Sequence, residues 1–200
     1  MEAAQRFEPT QAREDPNDRI RLHGVSWAQY ETLLSIRGES AGVRIAYLRG
    51  EVELMSPSHQ HESIGSLIGR LIEAYADARH IDINAYGSWT LKKKVKERGA
   101  EPDKCYALGS RVPRVPDFLI EVVWTSGGLD KLDLYAGLSV PEVWFWRRGR
   151  IEIYLLHGGG YQRAQRSAAL PGLDIDLVAR LAARKDQSQA VREFRAALGT

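Results

Sequence analysis

The stretch "PDFLIEVVW", residues 116–124, places a glutamate inside an otherwise apolar run. Between Asp117 and the end of the stretch, every residue except Glu121 is large and apolar, and several are β-branched or aromatic. Pro116 precedes this run and the turn-forming "TSGG" (125–128) follows it, which predicts a strand covered on both faces of a sheet. A carboxylate that is buried alone is strongly destabilising. We therefore expect Glu121 to be paired with a cation, bound to a metal or neutralised.

The composition is typical of one globular domain. The chain has 200 residues, of which 44% are apolar and 27% charged, enough for one substantial core but not for two ordinary domains. No apolar run reaches the roughly 18 residues that span a membrane. Residues 1–19 are polar and carry acids, unlike a secretory signal, so we expect a mobile N-terminal arm followed by a single domain, residues 20–200, with a helical tail. The single cysteine, Cys105, excludes an intramolecular disulfide and fits the cytoplasm.

The order of sequence patterns predicts a mixture of helices and strands. Apolar residues at helical spacing predict helices at 25–37, 58–79 and 129–138 and one or two more from 175 to 198. Alternating or apolar runs predict strands at 43–57 (a hairpin), 81–95, 102–108, 116–124, 140–146, 150–156 and 160–167. This order indicates an α+β, or mixed α/β, fold around one central sheet. Because there is no Gly-rich phosphate-binding motif, we expect no nucleotide cofactor.

Two predicted strands each begin with Pro-Asp. Asp103 starts the strand 102–108, and Asp117 starts the strand that carries Glu121. If these strands pair, Asp103 lies beside the strand of Glu121, and the two carboxylates can share a hard divalent ion such as Mg²⁺. Asp117 faces the same way as Glu121, but four residues of strand span roughly 13 Å, so it is expected to be a turn acid or a supporting group.

A lysine follows on the short predicted helix. Lys131 shares a helix face with Tyr135 and Leu138, which holds it close to the sheet. Two acids and a lysine suit the hydrolysis of phosphodiesters, because a bound metal lowers the pKa of a water and the lysine can orient or help deprotonate that water, or balance charge. Each residue has a simpler interpretation: Glu121 and Lys131 can form a buried ion pair, and Asp103 can be a turn residue.

Other candidates remain open on the sequence alone. His61, in the first turn of the long helix, is a core or capping histidine or supports the site, and Glu51, beside the Gly50 turn, is exposed or supporting. With a formal net charge of +2, clustering of charge matters more than its total. The basic residues that could contact a nucleic-acid backbone, or merely form solvated edges, are Lys92, Lys94, Lys96, Arg147 and Arg148. Trp144 and Trp146 share a strand face, where core or dimer packing is favoured over base stacking.

Three stretches of the chain resemble a known family. They are "VELMSPSHQHESIGSLIGRLIEAYA" (52–76), "GAEPDKCYAL" (99–108) and "VPDFLIEVVWTSGGLDKLDLYAGLSVPEVWFW" (115–146). They look like the Uma-type restriction-endonuclease-like proteins, long catalogued as a domain of unknown function, within the PD-(D/E)XK superfamily. The resemblance covers roughly residues 20–160.

The resemblance implies a central mixed sheet flanked by helices and a set of site residues. Asp103 and Glu121 match the two acids, with the main-chain carbonyl of Val122 as a further metal ligand, and Lys131 matches the lysine of a Lys-x-x-x-Tyr motif. His61 matches the histidine that follows Met-Ser-Pro. Two positions depart from the pattern. The usual strand lysine is replaced by Val123, so that Lys131 would be a migrated replacement, and an aspartate common four residues before it is Gly127.

The leading prediction is a Mg²⁺- or Mn²⁺-dependent endonuclease that acts on DNA as a homodimer. The first alternative is a nucleic-acid-binding or regulatory protein that keeps the fold without efficient cleavage, which the change at Gly127 and the modest net charge favour. The second is a metal-dependent hydrolase of small phosphoesters.

Overall fold

The computed structural model describes residues 15–40, 42–87, 89–110, 113–125 and 128–199. These residues form eleven strands in two sheets, together with five α-helices. The predicted α+β class with a central mixed sheet flanked by helices is confirmed, and five of the strands form a second sheet instead of joining the central one. Gly127 and most of the expected N-terminal arm lie outside the described residues. At the end of that predicted arm, Asp18 and Arg19 begin a strand.

The strands and helices alternate irregularly along the chain. The strands are β1 (Asp18–Leu22), β2 (Arg44–Leu48), β3 (Glu51–Ser56), β4 (Ile83–Ala85), β5 (Leu91–Lys93), β6 (Arg98–Ala100), β7 (Lys104–Leu108), β8 (Phe118–Val122), β9 (Glu142–Arg147), β10 (Arg150–His157) and β11 (Gly160–Ala164). The helices are α1 (Trp27–Arg37), α2 (His59–Arg79), α3 (Lys131–Leu138), α4 (Ile175–Ala182) and α5 (Gln187–Leu198). A 3-10 turn, Lys94–Lys96, joins β5 to β6.

The larger sheet carries the predicted core strand at its centre. Its strand order is β11-β10-β9-β8-β7-β4, and of these neighbours only β8 and β9 run parallel. Helix α3 makes the crossover between these two strands, as parallel pairing requires. One face of the sheet packs against α2, α4 and α5, and the other face packs against α3. All five residues of β8 are therefore buried, which confirms the strand predicted from "PDFLIEVVW".

The smaller sheet has the order β1-β3-β2-β6-β5 and packs against α1. Trp27 and Tyr30 of α1 meet Tyr47 of β2 in an aromatic cluster, with ring centroids 5.0 to 5.5 Å apart. Space for Tyr30 depends on Gly99 in β6, where an added Cβ would lie 2.1 Å from the tyrosine oxygen.

The predicted continuous strand at 81–95 is wrong, because the segment divides between the two sheets. Its first part, β4, pairs with β7 in the larger sheet, and its second part, β5, pairs with β6 in the smaller one. The hairpins, the long helix and the two tail helices are confirmed. Ser58 caps α2 as expected, its hydroxyl accepting the His61 N–H at 3.1 Å. No helix in the described ranges is both long enough and apolar enough to cross a membrane.

Candidate active site

The pairing of β7 with β8 brings the two acids together. Lys104 lies opposite Ile120 in this antiparallel pair, so the register continued by one residue places Asp103 opposite Glu121. The expected pairing of the two Pro-Asp strands is therefore confirmed. Both acids are buried, each with 3% of its surface exposed. Two adjacent buried carboxylates repel each other and require compensating donors or cations.

Three donors hold the carboxylate of Asp103. Oδ2 accepts the backbone N–H of Val122 at 2.6 Å and contacts Nε2 of His61 at 2.8 Å, and Oδ1 accepts from Arg44. Burial alone would raise the pKa of Asp103, but the hydrogen bond from His61 and the charge of Arg44 outweigh it, so its pKa lies below the usual value. The carboxylate is thus ionised, and the Nε2–H group of His61 donates a hydrogen bond to it. Arg44 also pairs with Glu62 at 2.5 Å.

Two residues of α3 hold the carboxylate of Glu121. Lys131 Nζ lies 3.1 Å from Oε1, and the hydroxyl of Tyr135 donates to the same oxygen. In the described part of the chain, no donor reaches Oε2. Burial and the charge of Asp103 raise the pKa of Glu121, while Lys131 and Tyr135 lower it in part, and the net shift is upward. Glu121 therefore has one oxygen fixed by protein donors and one available to a ligand.

Helix α3 begins at Lys131 and fixes the direction of its side chain. Asp130 caps the helix by accepting the N–H of Asp133 at 3.0 Å. Tyr135 lies one turn further on the same face, as predicted. Burial lowers the pKa of Lys131, but the carboxylates of Glu121 and Glu53 outweigh that effect and raise it. The lysine is therefore an ammonium ion at neutral pH.

A cavity of about 220 Å³ opens beside Glu121. Its lining combines the proposed site residues Glu121, Val122 and Lys131 with two arginines, Arg19 and Arg147. Among the described residues, no group of three or more His, Cys, Asp or Glu side chains is placed to hold a metal ion. Mg²⁺ usually takes one or two carboxylates and completes its shell with water and substrate phosphate. The available Oε2 of Glu121 fits a hard divalent cation of this kind, whereas both oxygens of Asp103 already accept from protein donors.

Sequence reasoning missed a second buried acid on the cavity wall. Glu53 of β3 is 3% exposed, pairs with Arg19 at 3.2 Å and accepts the N–H of Leu129 at 3.3 Å. An added Cβ at Gly128 would lie 2.5 Å from Arg19 Nη1 and 2.8 Å from Glu53 Oε2, so this close approach requires glycine. The alternation in "EVELM" was its only local signal, and it predicts a half-exposed strand.

Two predicted supporting acids lie away from the site. Asp117 is at the opposite end of β8 from the Asp103 contact, where it accepts the N–H of Leu108 at 2.8 Å. Glu51 pairs with Arg21 at 2.6 Å on an exposed part of the β1–β3 edge. The expected supporting roles of Asp117 and Glu51 are therefore corrected. For Asp117 the reason is that antiparallel pairing places the start of β8 beside the end of β7, whereas Asp103 lies just before the start of β7. His61, in contrast, touches Asp103 directly.

The predicted basic residues divide between two places. Lys92, Lys94 and Lys96 belong to β5 and the following turn in the smaller sheet, and Lys92 pairs with Glu31 at 3.5 Å. Arg147 reaches the cavity of Glu121 and lies over the Phe145 ring at 4.8 Å. Arg148 is the next residue, in the β9–β10 turn. Arg147 therefore adjoins the candidate site, whereas Arg148 and the three lysines do not line its cavity.

Comparison with known proteins identifies a family for this chain. The family model described as "Uma2: Putative restriction endonuclease" matches residues 27–183. A crystal structure described as "a putative nuclease belonging to DUF820 from Anabaena variabilis ATCC 29413" superposes with a TM-score of 0.51 at 15% identity, covering 84% of this chain and 98% of that chain. At this identity the likeness shows the fold, which is restriction-endonuclease-like. A search of curated proteins found no match. The chain belongs to the Uma2 family.

Proposed function

We propose that this protein is a metal-dependent endonuclease that hydrolyses phosphodiester bonds in DNA. The observation that supports this most strongly is that Glu121 and the ammonium of Lys131 line one cavity, with Asp103 opposite Glu121 in the register of β7 and β8. The membership of a family described as restriction endonucleases supports the same reaction class. Arg19 and Arg147 on the cavity wall provide positive charge for a phosphate backbone.

The two carboxylates would hold Mg²⁺ or Mn²⁺, with the main-chain carbonyl of Val122 as a third protein ligand. When bound, the ion lowers the pKa of a coordinated water and offsets the negative charge of the phosphate. The hydrogen bonds from Tyr135 and Lys131 fix Oε1 of Glu121 and leave Oε2 for the ion. Val122 also orients Asp103 through its N–H.

Lys131 acts in this proposal as a donor and a positive charge. Its pKa is raised, so it keeps its proton at neutral pH and does not serve as the base that activates water. From its place beside Glu121 it orients the attacking water by hydrogen bonding and stabilises charge that develops on the phosphate oxygens. His61 and Arg44 are positioning residues that hold Asp103 in one orientation.

A second candidate function is nucleic-acid binding on the nuclease fold without efficient cleavage. The observation that favours it is that both oxygens of Asp103 already accept from His61, Arg44 and Val122. A cation would reach Asp103 only after the Arg44 guanidinium or the His61 ring moves. Binding without metal needs no such movement.

Cleavage assays separate the two candidates. Supercoiled, linear and single-stranded DNA are incubated with Mn²⁺, with Mg²⁺ or with EDTA, and Glu121→Gln is compared with the wild type. Glu31→Gln is the matched control, because it removes one carboxylate from the partly exposed Lys92 pair on α1. We expect metal-dependent cutting that Glu121→Gln abolishes and Glu31→Gln preserves.

The other outcomes have distinct meanings. Cutting that persists in Glu121→Gln would remove the assigned site. Salt-sensitive DNA binding with no metal-dependent cutting would favour the binding protein, and hydrolysis of bis(p-nitrophenyl) phosphate alone would favour a small-phosphoester hydrolase. We also propose a homodimer, in which each site cuts one strand, and light scattering of the purified protein measures that state directly.

A further inference from the structure

A second cavity lies across the sheet from the candidate active site. It has a volume of about 360 Å³, within the usual range for a small-ligand pocket. Its walls include two indole rings, Trp124 just after β8 and Trp146 in β9, and its rim carries Arg148, Arg184 and Lys185. We call it the Trp124 pocket.

The two tryptophans form a rigid aromatic corner. Their ring centroids are 5.6 Å apart with an angle of 64° between the planes. Trp146 is 4% exposed and belongs to the core, as predicted, whereas Trp124 is half-buried. Neither indole N–H finds an acceptor among the described residues. A buried donor without an acceptor is costly, and a ligand that carries acceptors can relieve that cost after a small shift of either ring.

The cations on the rim are available to a ligand. Arg148 and Lys185 are exposed, and within the described residues neither forms a hydrogen bond or ion pair. Arg184 has only a partly exposed partner, Glu193, at 3.6 Å. An aromatic wall beside unpaired cations matches the two parts of a nucleotide, since bases stack on indole rings and phosphates attract arginine and lysine.

The Trp124 pocket also lies close to Glu121, at the same edge of the sheet. Alternation along β8 directs Glu121 to one face of the sheet, while its neighbour Val122 belongs to the cluster that contains Trp124 and Trp146. Trp124 follows Glu121 by three residues, or roughly 10 Å of extended chain. Arg147 reaches the cavity of Glu121 and the next residue, Arg148, reaches the Trp124 pocket. A single nucleic-acid strand that crosses this edge of the sheet would therefore reach both cavities within a few nucleotides.

We propose that the Trp124 pocket holds one unpaired nucleobase of the bound strand, stacked on Trp124, with its phosphates at Arg148 and Lys185. This proposal rests on the proposed function, because the pocket would position a strand whose backbone continues into the site of Glu121. It predicts that single-stranded or unpaired DNA binds better than a fully paired duplex, whose bases cannot leave the stack without an energetic cost.

The test measures binding without cleavage. Fluorescein-labelled oligothymidylate is titrated with full-length protein in EDTA, and fluorescence anisotropy reports the dissociation constant. We expect Trp124→Ala to weaken binding by about fivefold to a hundredfold, the usual effect of losing one base–aromatic stack, and Trp124→Phe to retain most of the affinity. Arg148→Ala should weaken binding more than Lys96→Ala, which removes the same charge from the β5–β6 turn.

An abasic strand separates stacking from structural damage. It keeps the phosphates but offers no base, so Trp124→Ala should have no effect on its binding if the variant is folded, which circular dichroism checks. Equal weakening of binding to the oligothymidylate and to the abasic strand would overturn the proposed nucleobase pocket, and so would the absence of binding by the wild type. A change of oligomeric state in Trp124→Ala would also overturn it, by indicating an interface between copies of the chain. If the wild type binds in this manner but never cuts DNA, the pocket stands and the proposed nuclease activity fails.

Discussion

Glu121 and Lys131 are ten positions apart in the chain, and their charged atoms lie 3.1 Å apart in the structure. The strand β8 supplies the carboxylate and the first residue of α3 supplies the ammonium group. Because Glu121 is buried and the side chain of Lys131 is only 19% exposed, this pair is shielded from solvent and from salt.

Loss of the lysine should destabilise the protein. Lys131→Met leaves the buried carboxylate of Glu121 with Tyr135 as its remaining donor, and breaking a buried pair costs about 3 kcal/mol. Urea denaturation measures the free energy of unfolding, with the exposed Lys94→Met as control. The double variant Glu121→Gln, Lys131→Met should lose less than the two single losses combined. Additive losses would show that the pair is not energetically coupled.

Acid should remove the stabilising effect of Asp103. The folded-state pKa of Asp103 is lowered, so its ionised form stabilises the protein at pH values above the unfolded pKa of about 3.9, and that contribution is lost as the pH falls through the folded pKa. Asp103→Asn should therefore be less stable than the wild type at neutral pH, with the difference shrinking in acid. Urea denaturation of the metal-free proteins across this range measures it. A difference independent of pH would contradict the assigned ionisation of Asp103.

Mn²⁺ affinity should fall in mild acid. The pKa of Glu121 is raised, so protons compete with the metal at pH values above about 4.3, where an exposed glutamate would titrate. Isothermal titration calorimetry in buffers of different ionisation enthalpy measures both affinity and proton release. Affinity that stays constant down to about pH 4.3 would contradict the raised pKa of Glu121.

Removal of the Tyr135 hydroxyl should shift the loss of Mn²⁺ affinity to higher pH. Tyr135 donates a hydrogen bond to Glu121 that favours the ionised form, so Tyr135→Phe should raise the pKa of Glu121 and shift the loss of Mn²⁺ affinity to higher pH. Tyr154→Phe is a control for the loss of a hydroxyl that bonds Glu152 instead. Identical calorimetric profiles for wild type and Tyr135→Phe would mean that this hydrogen bond does not tune Glu121.

The close approach at Gly128 gives a steric prediction. A methyl group there meets Arg19 and Glu53, so Gly128→Ala should destabilise the protein by about 1 kcal/mol and disturb the cavity beside Glu121. Gly160→Ala is the control, because no atom lies within 4 Å of its added Cβ. Thermal denaturation and Mn²⁺ titration of both variants measure the effect. Equal behaviour of the two variants would contradict a tight contact at Gly128.

The sequence predicted the parts of the site that depend on local pattern. The apolar run around Glu121, the helical face shared by Lys131 and Tyr135, and the pairing that brings Asp103 alongside were all visible in it. The partners of Asp103 were not all visible, because Arg44 comes from another sheet and its contact depends on how the two sheets meet.

The missed features share one physical cause. Glu53 is buried because β1 pairs with its strand, β3, and because Gly128 approaches its side chain closely. Both contacts join residues that are far apart in the chain. The segment 81–95 alternates as a strand throughout, and alternation does not show that its two halves join different sheets. Local periodicity indicates which residues are extended, whereas partner choice is set by long-range packing.

The crossover from β8 through α3 to β9 has a consequence for how the site can diversify. Residues 118–147 contribute Glu121, its two donors and Arg147, so a single continuous segment carries an acid together with its own counter-ion. Changes elsewhere in the chain can alter loops, termini and the second sheet without leaving this buried charge uncompensated. The segment thus supplies Glu121 together with its own counter-ion, while the rest of the chain supplies Asp103 with its partners Arg44 and His61, and Glu53 and Arg19 on the cavity wall.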